Sequence, residues 1–243
     1  MKKAFVAALL IITAIPLLIG VAALPPHGET TAPVHTHISA RYLMRGAEEA
    51  GADNIVTGVL LNYRGLDTAG EVTVIFTALV AGLAVLITRR KEPGAKADSA
   101  ARGDVPAPPP VSPVVSFVVQ LLAPFIALFA VYVILNGHVT PGGGFQGGAI
   151  LGALFIALTI VLGEGRTRSL MPRLALPWMQ GAALISFVVV GVLGAGLTGY
   201  FLGFPAEASL HLVRELMMLV LEAGIGLGGA AIFATLFLQM EAE

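Results

Sequence analysis

Six long apolar runs constrain this chain more than any other feature. They fall at roughly 4–24, 71–88, 114–136, 145–163, 177–200 and 213–238, and each approaches the ~20 residues that a helix needs to cross a bilayer. Lipid offers no hydrogen bonds, so a spanning segment must satisfy its own backbone, and runs of this kind fold as helices. Charged residues make up 12% of the chain against 56% hydrophobic, where soluble domains carry about a quarter charged. The expected fold is an all-α integral membrane protein. It has about six transmembrane helices in a 2+4 arrangement, with a short amphipathic helix on the outer side.

Lysine and arginine in the short loops orient the spans. Lys2 and Lys3 precede the first span, while Arg89, Arg90 and Lys91 follow the second, with Lys96 and Arg102 beyond. Arg166, Arg168 and Arg173 lie between the fourth and fifth. Six alternating spans put all three groups on one side. The expectation is a multi-pass protein of the cell inner (cytoplasmic) membrane with both termini in the cytoplasm. Arg41, Arg45 and Arg64 run against the pattern, because they fall in the first outer loop. Residues 1–23 also fit a signal peptide, with Lys2-Lys3, an apolar core and Val21-Ala22-Ala23. The chain is read with this span retained.

The segment 89–113, RRKEPGAKADSAARGDVPAPPPVSP, is charged and then rich in alanine and proline. Pro108, Pro109 and Pro110 cannot continue a helix and favour an extended linker. The chain therefore divides into a two-span unit (1–90), a cytoplasmic linker (91–113) and a four-span unit (114–243).

In the first unit, ISARYLMRGAEEAGADN reads as an amphipathic helix ending near Gly51, with Ile38, Tyr42 and Leu43 on one face. Such a helix lies along the membrane surface or on a partner. The β-branched run from Ile55 to Leu61 reads as a short extended piece. Arg64 to Thr68 then turns into a helix, with Asp67 or Thr68 as its cap and Glu71 near its positive end. Arg64, Asp67 and Glu71 form either an entry clamp or an ion entry at the surface. His27, His35 and His37 lack the carboxylate or cysteine that would complete a metal site, so they read as a solvated loop.

The stretch NGHVTPGGGFQGGAI opens the fourth span. Gly137 and Pro141 end the preceding helix. Gly142, Gly143, Gly144, Gly147 and Gly148 make a tight corner. Gly144, Gly148 and Gly152 recur every four residues, so they present a flat face for close helix packing. Irregular backbone at membrane depth belongs inside protein or beside a watery cavity. His138 stands at that corner, either as a structural donor or as a group for proton handling. No Gly-Lys-Ser/Thr follows, which excludes a phosphate loop.

The sixth span carries Glu215 near its start and Glu222 about two turns deeper, on the same face. Arg214 is close enough to the interface to snorkel outward. Glu222 is not. An ionised side chain at mid-span costs roughly 2.5–3.5 kcal/mol on insertion scales. Glu222 must be protonated, paired or hydrated. It is either a hydrogen-bonded structural acid or part of a proton or sodium relay. Gly224 and Gly228 add a close-packing face beside it. Glu164, at the end of the fourth span, reads as an exposed helix-end residue.

On these motifs the chain resembles a known family. GHVTPGGGFQGG resembles the signature of the B-type component of Mrp-type multisubunit Na+/H+ antiporters (MnhB- or MrpB-like), over about 114–240. LVLEAGIGLG around Glu222 is similar to that family's last helix. NIVTGVLLNYRGLDTAGE, residues 54–71, resembles the E-type component of membrane-bound hydrogenases, which is equivalent to the C-terminal region of the large MrpA protein. Asn62 stands where that family commonly has aspartate, so no charge role is expected there. The resemblance implies a fusion of E-type and B-type components. It implies a membrane subunit of a Na+/H+ antiporter module, within or beside the cation/proton path, with Glu222, Glu71, His138, Glu215, Asp67 and Arg64 as path candidates. The alternative it implies is a purely structural subunit in the membrane arm of a redox-driven ion pump of the membrane-bound hydrogenase type. Implied partners are A-, C-, D-, E-, F- and G-like Mrp subunits, a peripheral redox arm in the second case, and the bilayer. The residues themselves offer no catalytic site, cofactor motif, metal site or nucleic-acid patch. With no cysteine in the chain, disulfides and cysteine-ligated iron–sulfur clusters are excluded.

Overall fold

The computed structural model describes residues 2–91, 111–163, 165–167 and 175–241. Most of the expected linker, 91–113, lies outside the described residues, as do Glu164, Arg168 and Arg173. The α-helices are α1 (Lys2–Ala22), α2 (Ser39–Ala50), the single turn α3 (Ile55–Thr57), α4 (Gly65–Lys91), α5 (Pro113–Leu135), α6 (Gly144–Leu162), α7 (Ala175–Thr198) and α8 (His211–Glu241). Among the described residues there is no strand, and six helices are long and apolar enough to cross a membrane. The chain is an all-α, multi-pass membrane protein.

Two compact units divide the chain, Met1–Met44 and Arg45–Glu243. In the first, α1 supplies one apolar span, Lys3–Ala22. A π-helical turn, Val34–Ile38, leads into α2.

The second unit is organised around α8. Its span is 56% buried, against 33% for α6 and α7 and 17% for α4 and α5, so α8 is the hub on which the others pack. It packs most extensively on α6 and α7, and α5 covers the other side of α6. Met217, Met218, Leu221 and Ile225 of α8 join Ala183, Phe187 and Val190 of α7, Val72 of α4 and Leu61 in one apolar cluster. Gln180 of α7 donates to Thr235 Oγ1 of α8 at 2.7 Å, an interhelical bond of the kind that holds spans together in lipid.

Glycines set the close approaches. A methyl group at Gly144 would lie 2.5 Å from the Glu222 carbonyl oxygen, at Gly148 2.7 Å from that of Gly226, and at Gly152 2.7 Å from Phe233 Cβ. The two sets of numbers rise together, so α6 and α8 run parallel. On the opposite side of α8, Gly224 faces Ser186 and Gly228 faces Ala183, an antiparallel contact with α7. Gly147 fits against Ile134 and the Ala130 carbonyl of α5.

Two local expectations are corrected. Ile55 to Leu61 is not extended. Asn54 caps the α3 turn by accepting from the Val56 amide at 3.1 Å, and the chain runs on as a π-helical turn, Gly58–Tyr63. Cap and packing override the β propensity of isolated Ile and Val. α4 begins at Gly65, so Asp67 and Thr68 lie inside its first turn and do not cap it. Thr68 Oγ1 instead donates to the Leu60 carbonyl at 2.7 Å. In α2 the buried positions are Gly46 and Ala50, while Leu43, and Ile38 in the π-helical turn before it, are exposed.

Candidate functional site

The glycine corner and Glu222 meet. α5 ends at Leu135 and α6 starts at Gly144, and the intervening backbone folds down against α8. Gly142 and Gly143 adopt φ of 149° and 133°, a conformation that side chains strain to reach. A methyl at Gly137 would lie 2.5 Å from Glu222 Oε1 and 2.5 Å from Gly143 Cα. The carboxylate therefore rests on a surface that only glycine leaves open.

Glu222 is 2% exposed. Both of its carboxylate oxygens are buried without a hydrogen-bond partner among the described residues. Beside it lies a cavity of about 50 Å³, lined by Thr57, Leu60, Thr68, Gly143 and Gln146 among others. That is room for a few water molecules, each of which needs roughly 10–15 Å³ on this measure. Among the described residues lining it, none is Lys, Arg or His. A larger hollow of about 460 Å³ is lined by one face of α5 alone, Pro113 to Leu121, and holds no ionisable group.

Asn54 staples the corner in place. Its Nδ2 donates to the carbonyls of Gly137 at 2.8 Å and Thr140 at 2.9 Å. Its backbone amide donates to the His138 carbonyl at 3.0 Å. Thr57 Oγ1 adds a 2.7 Å bond to the Gly137 carbonyl. Four bonds thus run from one short turn to a segment about eighty residues away in sequence, and they satisfy carbonyls that the corner leaves without helix partners.

The other candidates stand apart from this cavity. Arg64 and Asp67 pair with each other at 2.5 Å, with side chains 59% and 55% exposed, a local pair three residues apart. Glu71 and Glu215 are exposed, and neither lines the cavity. His138 lends its backbone to the staple, while its Nδ1 is buried without a partner among the described residues. The Arg214 guanidinium end occupies the space where a side chain on Gly51 would stand, and its Nε is buried. Asn62 donates to the Ala50 carbonyl at 3.5 Å, a neutral structural contact. Among the described residues no group of three or more His, Asp or Glu is placed to hold a metal ion.

A family model for domains related to the MnhB subunit of Na+/H+ antiporters matches residues 114–239, just over half of the chain. The chain belongs to this family. The glycine corner and Glu222 both fall within the matched region. A second model, for the E component of MBH, matches residues 9–102 and takes in Asn54, Thr57 and Thr68. The A/B component of a probable K+/H+ antiporter of Rhizobium meliloti is 28% identical over 191 residues, covering 72% of this chain and 18% of that protein. The B component of a Na+/H+ antiporter of Bacillus subtilis is 37% identical over 73 residues, covering 30% of this chain and 50% of that one. The chain thus spans about a fifth of the first relative and half of the second. A chain in the structure of an archaeal membrane-bound sulfane sulfur reductase, a respiratory membrane complex, superposes with a TM-score of 0.62 at 30% identity, over 98% of this chain and 99% of that one.

Proposed function

We propose that this chain is a membrane subunit of a multisubunit Na+/H+ antiporter module, built from an E-type unit (1–90), a cytoplasmic linker (91–113) and a B-type unit (114–243). In this reading it sits in the cell inner membrane with both termini in the cytoplasm, among other Mrp-type subunits, and Glu222 handles the cation or proton. The observation that carries the reading is the buried, unpartnered Glu222 carboxylate against a glycine corner. An acid in that position is costly in lipid, and such acids mark ion pathways and proton relays. Glu71, Glu215, Arg64 and Asp67 serve at the surface, with Arg64 and Asp67 as a clamp at the entry to α4. His138 holds the corner.

The match along nearly the whole length of a chain from a respiratory complex favours a second reading, a helix-sealing subunit in the membrane arm of a redox-driven ion pump. One preparation separates the two. The native complex is purified through a tag on this chain, assayed for iron and nickel, and reconstituted for sodium-driven proton movement. Antiport without either metal supports the stand-alone module. Abundant iron supports the redox-driven arm, with nickel pointing to a hydrogenase.

A further inference from the structure

We propose that the cavity beside Glu222 is a binding site for one small monovalent cation, of sodium size, taken up with part of its hydration shell. The site deepens the transport reading and rests on it for the identity of the ion.

Its chemistry follows from where the hydroxyl protons go. Thr57 Oγ1 gives its hydrogen to the Gly137 carbonyl and Thr68 Oγ1 gives its hydrogen to the Leu60 carbonyl, both at 2.7 Å. Each hydroxyl has one proton and two lone pairs. What these threonines have left for the cavity is therefore lone pairs: two on Thr68, and one on Thr57, which already accepts from Asn54 Nδ2 at 3.1 Å. Gln146 Oε1 and Glu222 Oε1 converge on the same bare glycine, 3.5 Å and 3.8 Å from the point where a side chain on Gly143 would begin. Glu222, Gln146, Thr57 and Thr68 are the oxygen-bearing side chains among the residues lining the cavity, a chemistry suited to a hard cation.

Charge and size agree with this. Beside the cavity is a buried carboxylate whose oxygens have no partner, and no basic side chain lines the cavity, among the described residues. Its volume of about 50 Å³ admits an ion with a few waters and excludes a large organic cation. Val56, Leu60, Leu61, Phe145 and Ile225 give the lining its apolar part, which strengthens any charge interaction inside.

The site is also composite. Thr57 and Thr68 lie in the region that matches the MBH model, and Gln146 and Glu222 in the MnhB-related region. Joining the two in one chain fixes the two halves of the donor set against each other, through the Asn54 staple.

The test is infrared difference spectroscopy on the purified complex, adding sodium chloride against choline chloride at matched ionic strength. Sodium is expected to shift a carboxylate band that is absent in Glu222→Gln. Thr68→Val and Gln146→Leu each remove one donor, and each should raise the sodium concentration for half-change about tenfold, the scale of one lost polar contact to a charge. Assembly of each variant is checked by size-exclusion chromatography, and Gln146, being exposed, tolerates replacement if Thr68→Val does not assemble. No sodium-dependent change in the Glu222 band, or a choline response of equal size, overturns the site. Sodium-driven proton movement is read in the same preparation. Antiport with a silent Glu222 band removes the site and leaves the function, while a band response without antiport leaves the site and removes the function.

Discussion

Asn54 and Glu222 differ in how visible they are before folding. A single carboxylate in the middle of LVLEAGIGLG stands out because lipid penalises it, and nothing about its neighbours is needed to notice it. Asn54 looks like an ordinary helix cap, and it is one. Its second role depends on carbonyls at Gly137 and Thr140, 83 and 86 residues away, which no local pattern reveals. Gly137 is legible as a helix terminator but not as the floor under a carboxylate. The chain carries the distinction between these roles only in its tertiary contacts. Asn54→Ala should leave the Thr140 carbonyl without its side-chain donor and the Gly137 carbonyl with Thr57 alone, at about 1–3 kcal/mol for the one group left unpaired. The purified complex should melt several degrees lower, with reduced transport. An unchanged melting temperature would show that the corner holds itself.

At the scale of elements, the spacing of four in Gly144, Gly148 and Gly152 gives a face but not its partner. The partner is Gly226 and its neighbours on α8, and the parallel run of α6 and α8 follows from which residues meet. Periodicity along one helix cannot encode that. The Ile55–Leu61 segment shows the converse: its β-branched residues suggest an extended piece, while the Asn54 cap and burial of Thr57 and Leu61 make it helical. The surface pair Arg64–Asp67 is legible as a pair because its partners are three residues apart. Glycine positions separate into tight and open ones. Gly148→Ala puts a methyl 2.7 Å from the Gly226 carbonyl oxygen, whereas nothing lies within 4 Å of a methyl at Gly181 in α7. Gly148→Ala should destabilise by about 1–3 kcal/mol, as overpacked cores do. Gly181→Ala should be neutral or stabilise by up to about 1 kcal/mol through helix propensity. Thermal unfolding of the two variants side by side checks the contrast, and equal behaviour would contradict the parallel α6–α8 contact.

For the whole molecule, six spans are legible from hydropathy alone, and orientation rests on basic loops. Because the chain has no native cysteine, single cysteines map its topology cleanly. Thr30→Cys should react with a membrane-impermeant maleimide on intact cells, and Ser99→Cys only after permeabilisation; the reverse result inverts the topology. The thin coverage of α4 and α5, 17% against 56% for α8, fits a subunit whose remaining faces meet lipid or other helices. The account's central claim is that Glu222 in this chain takes part in ion movement by its complex. The most direct measurement is sodium-driven proton uptake by proteoliposomes containing the complex with Glu222→Gln. Glutamine keeps the shape and removes the charge. The account predicts full assembly with antiport reduced about a hundredfold or more, the low end of what one general acid–base group contributes. An assembled complex that exchanges sodium for protons at the wild-type rate would contradict it and leave Glu222 as a structural acid.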